Sequence, residues 1–192
     1  TIQSADVCNV TVRPDITVTG TSGALTFSTV NLLGMRTIDF TSVVDYDGGI
    51  METLNLTQGS SEIQNATVRS NTASGVAMCD DATFGTSGFH DSTLVQAGSG
   101  HAFELTATGS VDFDNLKFSG FGADETNSAA IYNNSGGAVT INVLNGGDTP
   151  TVRNGASATT TINNAVSVEV TAKDASDSSN ISGARVYLEA AS

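Results

Sequence analysis

The sequence predicts an all-β chain folded as a right-handed parallel β-helix of about five coils, and three observations carry that reading. A six-residue phrase recurs at Val7-x-Asn9-Val10-x-Val12, Met35-x-Thr37-Ile38-x-Phe40, Ile63-x-Asn65-Ala66-x-Val68, Phe89-x-Asp91-Ser92-x-Leu94 and Phe113-x-Asn115-Leu116-x-Phe118. Its first positions, 7, 35, 63, 89 and 113, lie 28, 28, 26 and 24 residues apart. A second series, Gly23-Ala-Leu25, Gly49-Ile-Met51, Gly75-Val-Ala77 and Gly100-His-Ala102, repeats at 26, 26 and 25 residues, and Ala129-Ala-Ile131 extends it. No helical periodicity runs through the chain. Two ladders with one period in the twenties are the mark of a solenoid built from short strands.

Each phrase has a physical reading. Its fourth and sixth positions obey the two-residue alternation of a strand. Its first and fourth do not, so the chain must bend between them, where Asn9, Thr37, Asn65, Asp91 and Asn115 stand. Asn and Asp accept left-handed backbone and hydrogen-bond nearby peptide groups, so stacked coils would form a polar ladder at one corner. The glycines at 23, 49, 75 and 100 would form a second corner, where backbones crowd or φ turns positive. A coil offers about four apolar side chains worth roughly 1.5–3 kcal/mol each. Ordering its backbone costs about 1–2 kcal/mol per residue, so only stacked coils are stable.

In order, residues 1–34, 35–62, 63–88 and 89–112 make four coils, and a fifth begins at Phe113. The excursion GFGADETNS (120–128) reads as a protruding loop. Residues 136–164 read as an irregular terminal coil capping the stack, which closes a β-helix unit at 1–164. From 165 to 192 the pattern changes. Val166, Val168 and Val170 alternate, KDASDSSNISGA turns, and RVYLE alternates again, which predicts a C-terminal β-hairpin or partial β-sandwich.

Composition narrows the function classes. Charged residues make up 14% of the chain, while 20 acids against 7 bases leave a net charge of −13. Phosphate contacts with nucleic acid are therefore disfavoured, and the acidic surface reads as a solubility device. No run of 18 apolar residues offers a membrane-spanning helix. The start at Thr1, within the first coil, reads as that of a processed or excised piece. Cys8 and Cys79 fall two coils apart, roughly 9–10 Å, beyond disulfide reach, and are expected as buried thiols.

Chemistry-bearing residues are sparse. Carboxylates pair at Asp45/Asp47, Asp80/Asp81 and Asp112/Asp114, and a glycosidase needs two of them at a set separation. Asp112 and Asp114 share a strand face, with Asp91 one coil below Asn115. The plainer reading is turn decoration on an acidic surface, since the chain has no Trp and three Tyr to stack against sugars. His90 and His101 share a coil and could meet Asp80, Asp81 or Glu104 around a metal, but isolated histidines are the expectation. DYDGG (45–49) lacks the later ligands of a calcium loop. GGAV and GTSG lack the Lys and helix of a phosphate cradle. The sequons at Asn9, Asn55 and Asn65 are expected by chance in an Asn/Thr-rich chain. No catalytic, cofactor or metal site is assigned.

Two resemblances add to this. Residues 101–164, above all NSAAIYNNSGGAVTINV (127–143) and GDTPTVRNG (147–155), resemble a module of marine tailed-phage structural proteins. VSVEVTAKDASDSSNISGARVYLEA resembles the opening of immunoglobulin-like or carboxypeptidase-regulatory-like sandwich modules. What the first resemblance implies is a non-enzymatic virion protein on the particle's exterior. It would be a homotrimeric capsid decoration (cement) protein or a tail spike or fibre component, with capsid or tail proteins as partners. The rival expectations are a β-helical polysaccharide lyase or hydrolase of a tail spike and an extracellular adhesin.

Overall fold

The chain folds as a computed structural model shows for residues 2–3, 6–7, 14–19, 25–164, 171–183 and 185. Among these residues there is no helix, and the strands pair in parallel, coil upon coil, as a β-solenoid of about 7 turns. Among the described residues a 13-stranded sheet and a 4-stranded sheet enclose one apolar interior.

Phe27, Tyr46, Ile63, Phe89 and Phe113 stack on successive turns, Val143 follows, and each is buried. Ile63, Phe89 and Phe113 are first positions of the repeated phrase. Met35 is buried too, but it opposes Thr53 on another face, and Val7 opposes Leu32. The five-coil count therefore corrects to about 7. The reason is coil length: column positions 27, 46 and 63 lie only 19 and 17 residues apart, against 26 and 24 for the next two steps. Two short N-terminal turns occupy the space that the 28-residue spacing assigned to one.

The column positions place a corner two residues on. Thr29, Gly48, Asn65, Asp91, Asn115 and Asn145 all have positive φ, between 47° and 79°. Asn, Asp and Gly suit that conformation, and the β-branched Thr29 is held there as its amide bonds the Asp47 carbonyl at 2.9 Å. Side chains then lace coil to coil. Asn65 Nδ2 donates to Asp47 Oδ1 at 2.8 Å, Asn115 Nδ2 to Asp91 Oδ1 at 2.8 Å, and Asn145 Nδ2 to Asp114 Oδ1 at 2.6 Å. The expected corner residues Asn65, Asp91 and Asn115 are thus in place. Thr37 instead lies inside the strand Asn31–Phe40, and Asn9 lies outside the described residues. Asn115→Ala is expected to cost about 2 kcal/mol, from the left-handed backbone and the lost hydrogen bond, and Asn115→Gly about half that. Urea denaturation of both variants separates the two contributions.

Past the corner, Leu32, Met51, Val68, Leu94 and Phe118 form a second column. Cys79, Phe103, Ile131 and Val152 form a third on the small sheet. Cys79 is a free, buried thiol, while Cys8 is outside the described residues. The glycine ladder divides. Gly49 follows the Gly48 corner and opposes Ala66, whereas Gly75 and Gly100 sit at the entrance of the small sheet. Gly23 is outside the described residues.

The C-terminal turn is regular, not irregular: Ala138–Leu144 pairs in unbroken register with Gly109–Asp114 and with Thr159–Asn164. It ends the stack by turning the interior polar. Buried Asn133 donates to the Thr159 carbonyl at 3.1 Å and to Thr160 Oγ1 at 2.9 Å, and Thr160 donates to Asn154 at 2.8 Å. Residues 120–128 do not protrude freely but fold back on the strand Val152–Asn154. Asp124 Oδ1 accepts the Val152 amide at 2.7 Å, Glu125 Oε2 accepts the Asn154 amide at 3.2 Å, and the Glu125 amide bonds the Val152 carbonyl at 2.9 Å. Farther on, an antiparallel bridge joins Lys173 to Asn180, with the Asp174 amide on the Ser179 carbonyl at 2.9 Å, a hairpin turn. The alternating segments 166–170 and 186–190 that would flank it lie outside the described residues.

Candidate functional site

The irregular segment between Ala77–Cys79 and Phe89–His90 leaves a gap in the outer wall, and the turn after His101–Leu105 forms its far side. The result is an open groove of about 620 Å³, lined by Asp80, Phe84, Glu104, Ser110, Asp112 and Asn142 among others. Phe84 forms the floor. Its ring packs edge-on to Phe103 at 5.1 Å and against Phe113 at 4.7 Å, which ties the groove to the core. Two of the three carboxylates accept amide hydrogen bonds: Asp112 from Asn142 Nδ2 at 2.7 Å, and Glu104 from Asn134 Nδ2 at 2.7 Å. Asn142 in turn accepts from Asn163 at 3.0 Å and donates to Ser110 at 3.0 Å. The groove therefore presents carboxylate and hydroxyl oxygens beside one aromatic ring, a surface suited to hydroxyl-bearing or cationic groups.

The paired carboxylates separate. Asp112 lines the groove while Asp114 accepts from Asn145 in the corner ladder. Asp80 lines the groove while Asp81 accepts the Gln58 amide at 3.1 Å and the Cys79 thiol at 3.3 Å. Burial and the neighbouring Asp81 push the Cys79 thiol well up, away from thiolate reactivity. DYDGG lies within the strand Val44–Thr57, with Tyr46 wholly buried, Asp45 accepting from Gln64 and Asp47 from Asn65. Among the described residues no group of His, Cys, Asp and Glu could hold a metal ion.

The two histidines stand on different faces. His101 is buried, stacks on Tyr132 at 5.3 Å, and its Nδ1–H donates to the Ala129 carbonyl at 2.6 Å. Burial holds it below the ordinary imidazole range, the Ala129 carbonyl opposes that, and Arg153 adds to it. His90 instead bridges two carboxylates, Glu62 on Nε2 and Asp91 on Nδ1, both at 2.9 Å. Burial opposes its charge, but hydrogen bonds to Asp91 and Glu62 outweigh burial and raise it above 6.5. Asp91 is lowered from 3.8, first by His90 and then by Asn115.

Glu62 was not marked by the sequence reading. The signal was available, because the phrase alignment puts Glu62 just before Ile63 and His90 just after Phe89 on the same column. The ionic clamp has a definite pH window. A raised His90 contributes in full below pH 6.5, and that contribution is lost as pH rises through its folded-state value. A lowered Asp91 contributes above pH 3.8, and that is lost as pH falls through its folded-state value. Wild-type protein should thus lose stability relative to His90→Gln on going from pH 5.5 to pH 8.5, as thermal unfolding at both would read. A difference that does not change with pH would mean that the two carboxylates leave the His90 pKa where it stands in the unfolded chain. Compared with protein families, curated proteins and solved structures, the chain matches none.

Proposed function

We propose that this protein is a non-enzymatic structural component of a bacteriophage virion, exposed on the particle's exterior as a capsid decoration or tail-associated protein and acting as a homo-oligomer. The observation that supports a structural role is where the polar side chains go. Asp47, Asp81, Asp91, Asp114, Asn65, Asn115 and Asn145 all lace one turn of the solenoid to another, in place of converging on a substrate. The virion setting rests on the resemblance of residues 101–164. Mass spectrometry and immunogold labelling of purified particles test it. The protein should copurify with virions at constant stoichiometry, and its absence from particles overturns the reading.

The groove favours a second reading, a polysaccharide-cleaving enzyme using Asp80, Glu104 and Asp112 around Phe84. Incubation with capsular polysaccharides of the host separates the two. Chain cleavage that Asp112→Asn abolishes would establish the enzyme, and intact polysaccharide supports the structural role.

A further inference from the structure

The two sheets end differently at the C-terminal turn. On the small sheet, the edge strand Val152–Asn154 turns the Val152 and Asn154 amides and the Val152 carbonyl away from its neighbour, and Asp124 and Glu125 satisfy all of them. That edge is closed by the chain's own loop. On the large sheet the last strand among the described residues is Thr159–Asn164, and the Thr159 amide bonds the Gly137 carbonyl at 3.0 Å. In a parallel ladder, Thr159, Thr161 and Asn163 therefore face Ala138–Leu144, and the amides and carbonyls of Thr160 and Ile162 point outward. Among the described residues no hydrogen bond reaches those outward groups.

Natural edges of this kind are blunted by charge, proline, a bulge or a cover. Thr159–Asn164 carries no charged residue and no proline, in a chain whose net charge is −13. Two acidic copies could approach along this strand without like charges meeting within it. We infer that this edge is a self-association surface, where a second copy of the chain adds its own Thr159–Asn164 strand antiparallel across a two-fold axis through Ile162.

The geometry is self-complementary. With Ile162 on the axis, it faces Ile162 of the second copy as a hydrogen-bonded antiparallel pair, and Thr160 faces Asn164. The part-buried Ile162, packed against the end of the core, is then covered by its equivalent. Exposed Thr161 falls opposite Asn163 on the outer face. An isologous contact of this kind requires a two-fold, so a closed three-fold ring cannot form it. The pairing is independent of whether the chain belongs to a virion.

Charge exchange on the full chain tests it. Wild-type protein should sediment as a concentration-dependent dimer, while T161K/N163K and T161E/N163E each sediment as monomers with unchanged far-ultraviolet circular dichroism. Mixing the two variants should restore the dimer, because each lysine then meets a glutamate across the axis. In wild-type protein, hydrogen exchange at the Thr160 and Ile162 amides should slow as concentration rises. A wild-type trimer or a wild-type monomer at the highest concentrations overturns the inference. So does a dimer indifferent to both variant pairs, a mixture that stays monomeric, or exchange already slow in the dilute protein.

Discussion

Replacing Phe113 with alanine should remove about 3–5 kcal/mol of stability, the upper range for a buried aromatic. Phe113 is fully buried, with Phe89 stacked on one side and Val143 on the other. Its ring lies 4.7 Å from Phe84, 6.0 Å from Phe118 and 6.4 Å from Phe103, so it is where the groove floor, the second column and the small sheet meet. The usual relief, collapse of the surroundings into the cavity, is closed off here. Turns above and below are held by ladder hydrogen bonds at the strand spacing and cannot move together without breaking them. A solenoid also depends on each interface between neighbouring turns. Urea denaturation measures the loss directly, and Phe113→Leu, which keeps most of the volume, should cost much less. A loss below about 1 kcal/mol for alanine would mean that Phe113 is not central to the stack.

Phe113 belongs to the part of the fold that could be read in advance. From Ile63 to Phe118, each turn repeats an apolar residue, a left-handed Asx corner and a second apolar column, so Ile63/Phe89/Phe113, Asn65/Asp91/Asn115 and Val68/Leu94/Phe118 all stack as the phrase implies. Upstream the same corner is taken by Thr29 and Gly48, after Phe27 and Tyr46. Losing the Asn hid the two short turns, and the phrase at Met35, where Ile38 stacks on Leu56, imitated a turn it does not begin. Candidate-site residues were legible only where register was right. His90 could have been paired with Glu62, but Phe84 lies in an irregular segment whose path no periodicity describes. The cap formed by Asp124 and Glu125 was hidden for another reason. Its partners, Val152 and Asn154, lie 28 and 29 residues away, and an acidic, glycine-flanked excursion has the composition of any exposed loop.

Gly49→Ala should rival the Phe113 substitution, for a reason that burial of a side chain does not supply. Gly49 sits at φ +92°, where an alanine costs about 1–2 kcal/mol whatever the space around it. Its added Cβ would also stand 2.2 Å from the Val30 carbonyl oxygen and 2.9 Å from the carbonyl carbon, backbone atoms of the turn below. That carbonyl cannot swing aside cheaply, since Val30 is buried and the Tyr46 hydroxyl donates to its oxygen. Burial pushes the Tyr46 phenol above its ordinary range, so the hydroxyl stays protonated and keeps donating. Displacing Val30 would strand the phenol unsatisfied, at about 1–3 kcal/mol more. The expected total is about 2–5 kcal/mol. Gly34→Ala provides the control, because Gly34 has φ +66° but nothing within 4 Å of its added Cβ, and should show only the backbone part. Denaturation midpoints of the two variants, compared at equal slope, isolate the close approach of the two turns. Equal losses would mean that Gly49 is required for its dihedral alone and that Val30 yields to the methyl group.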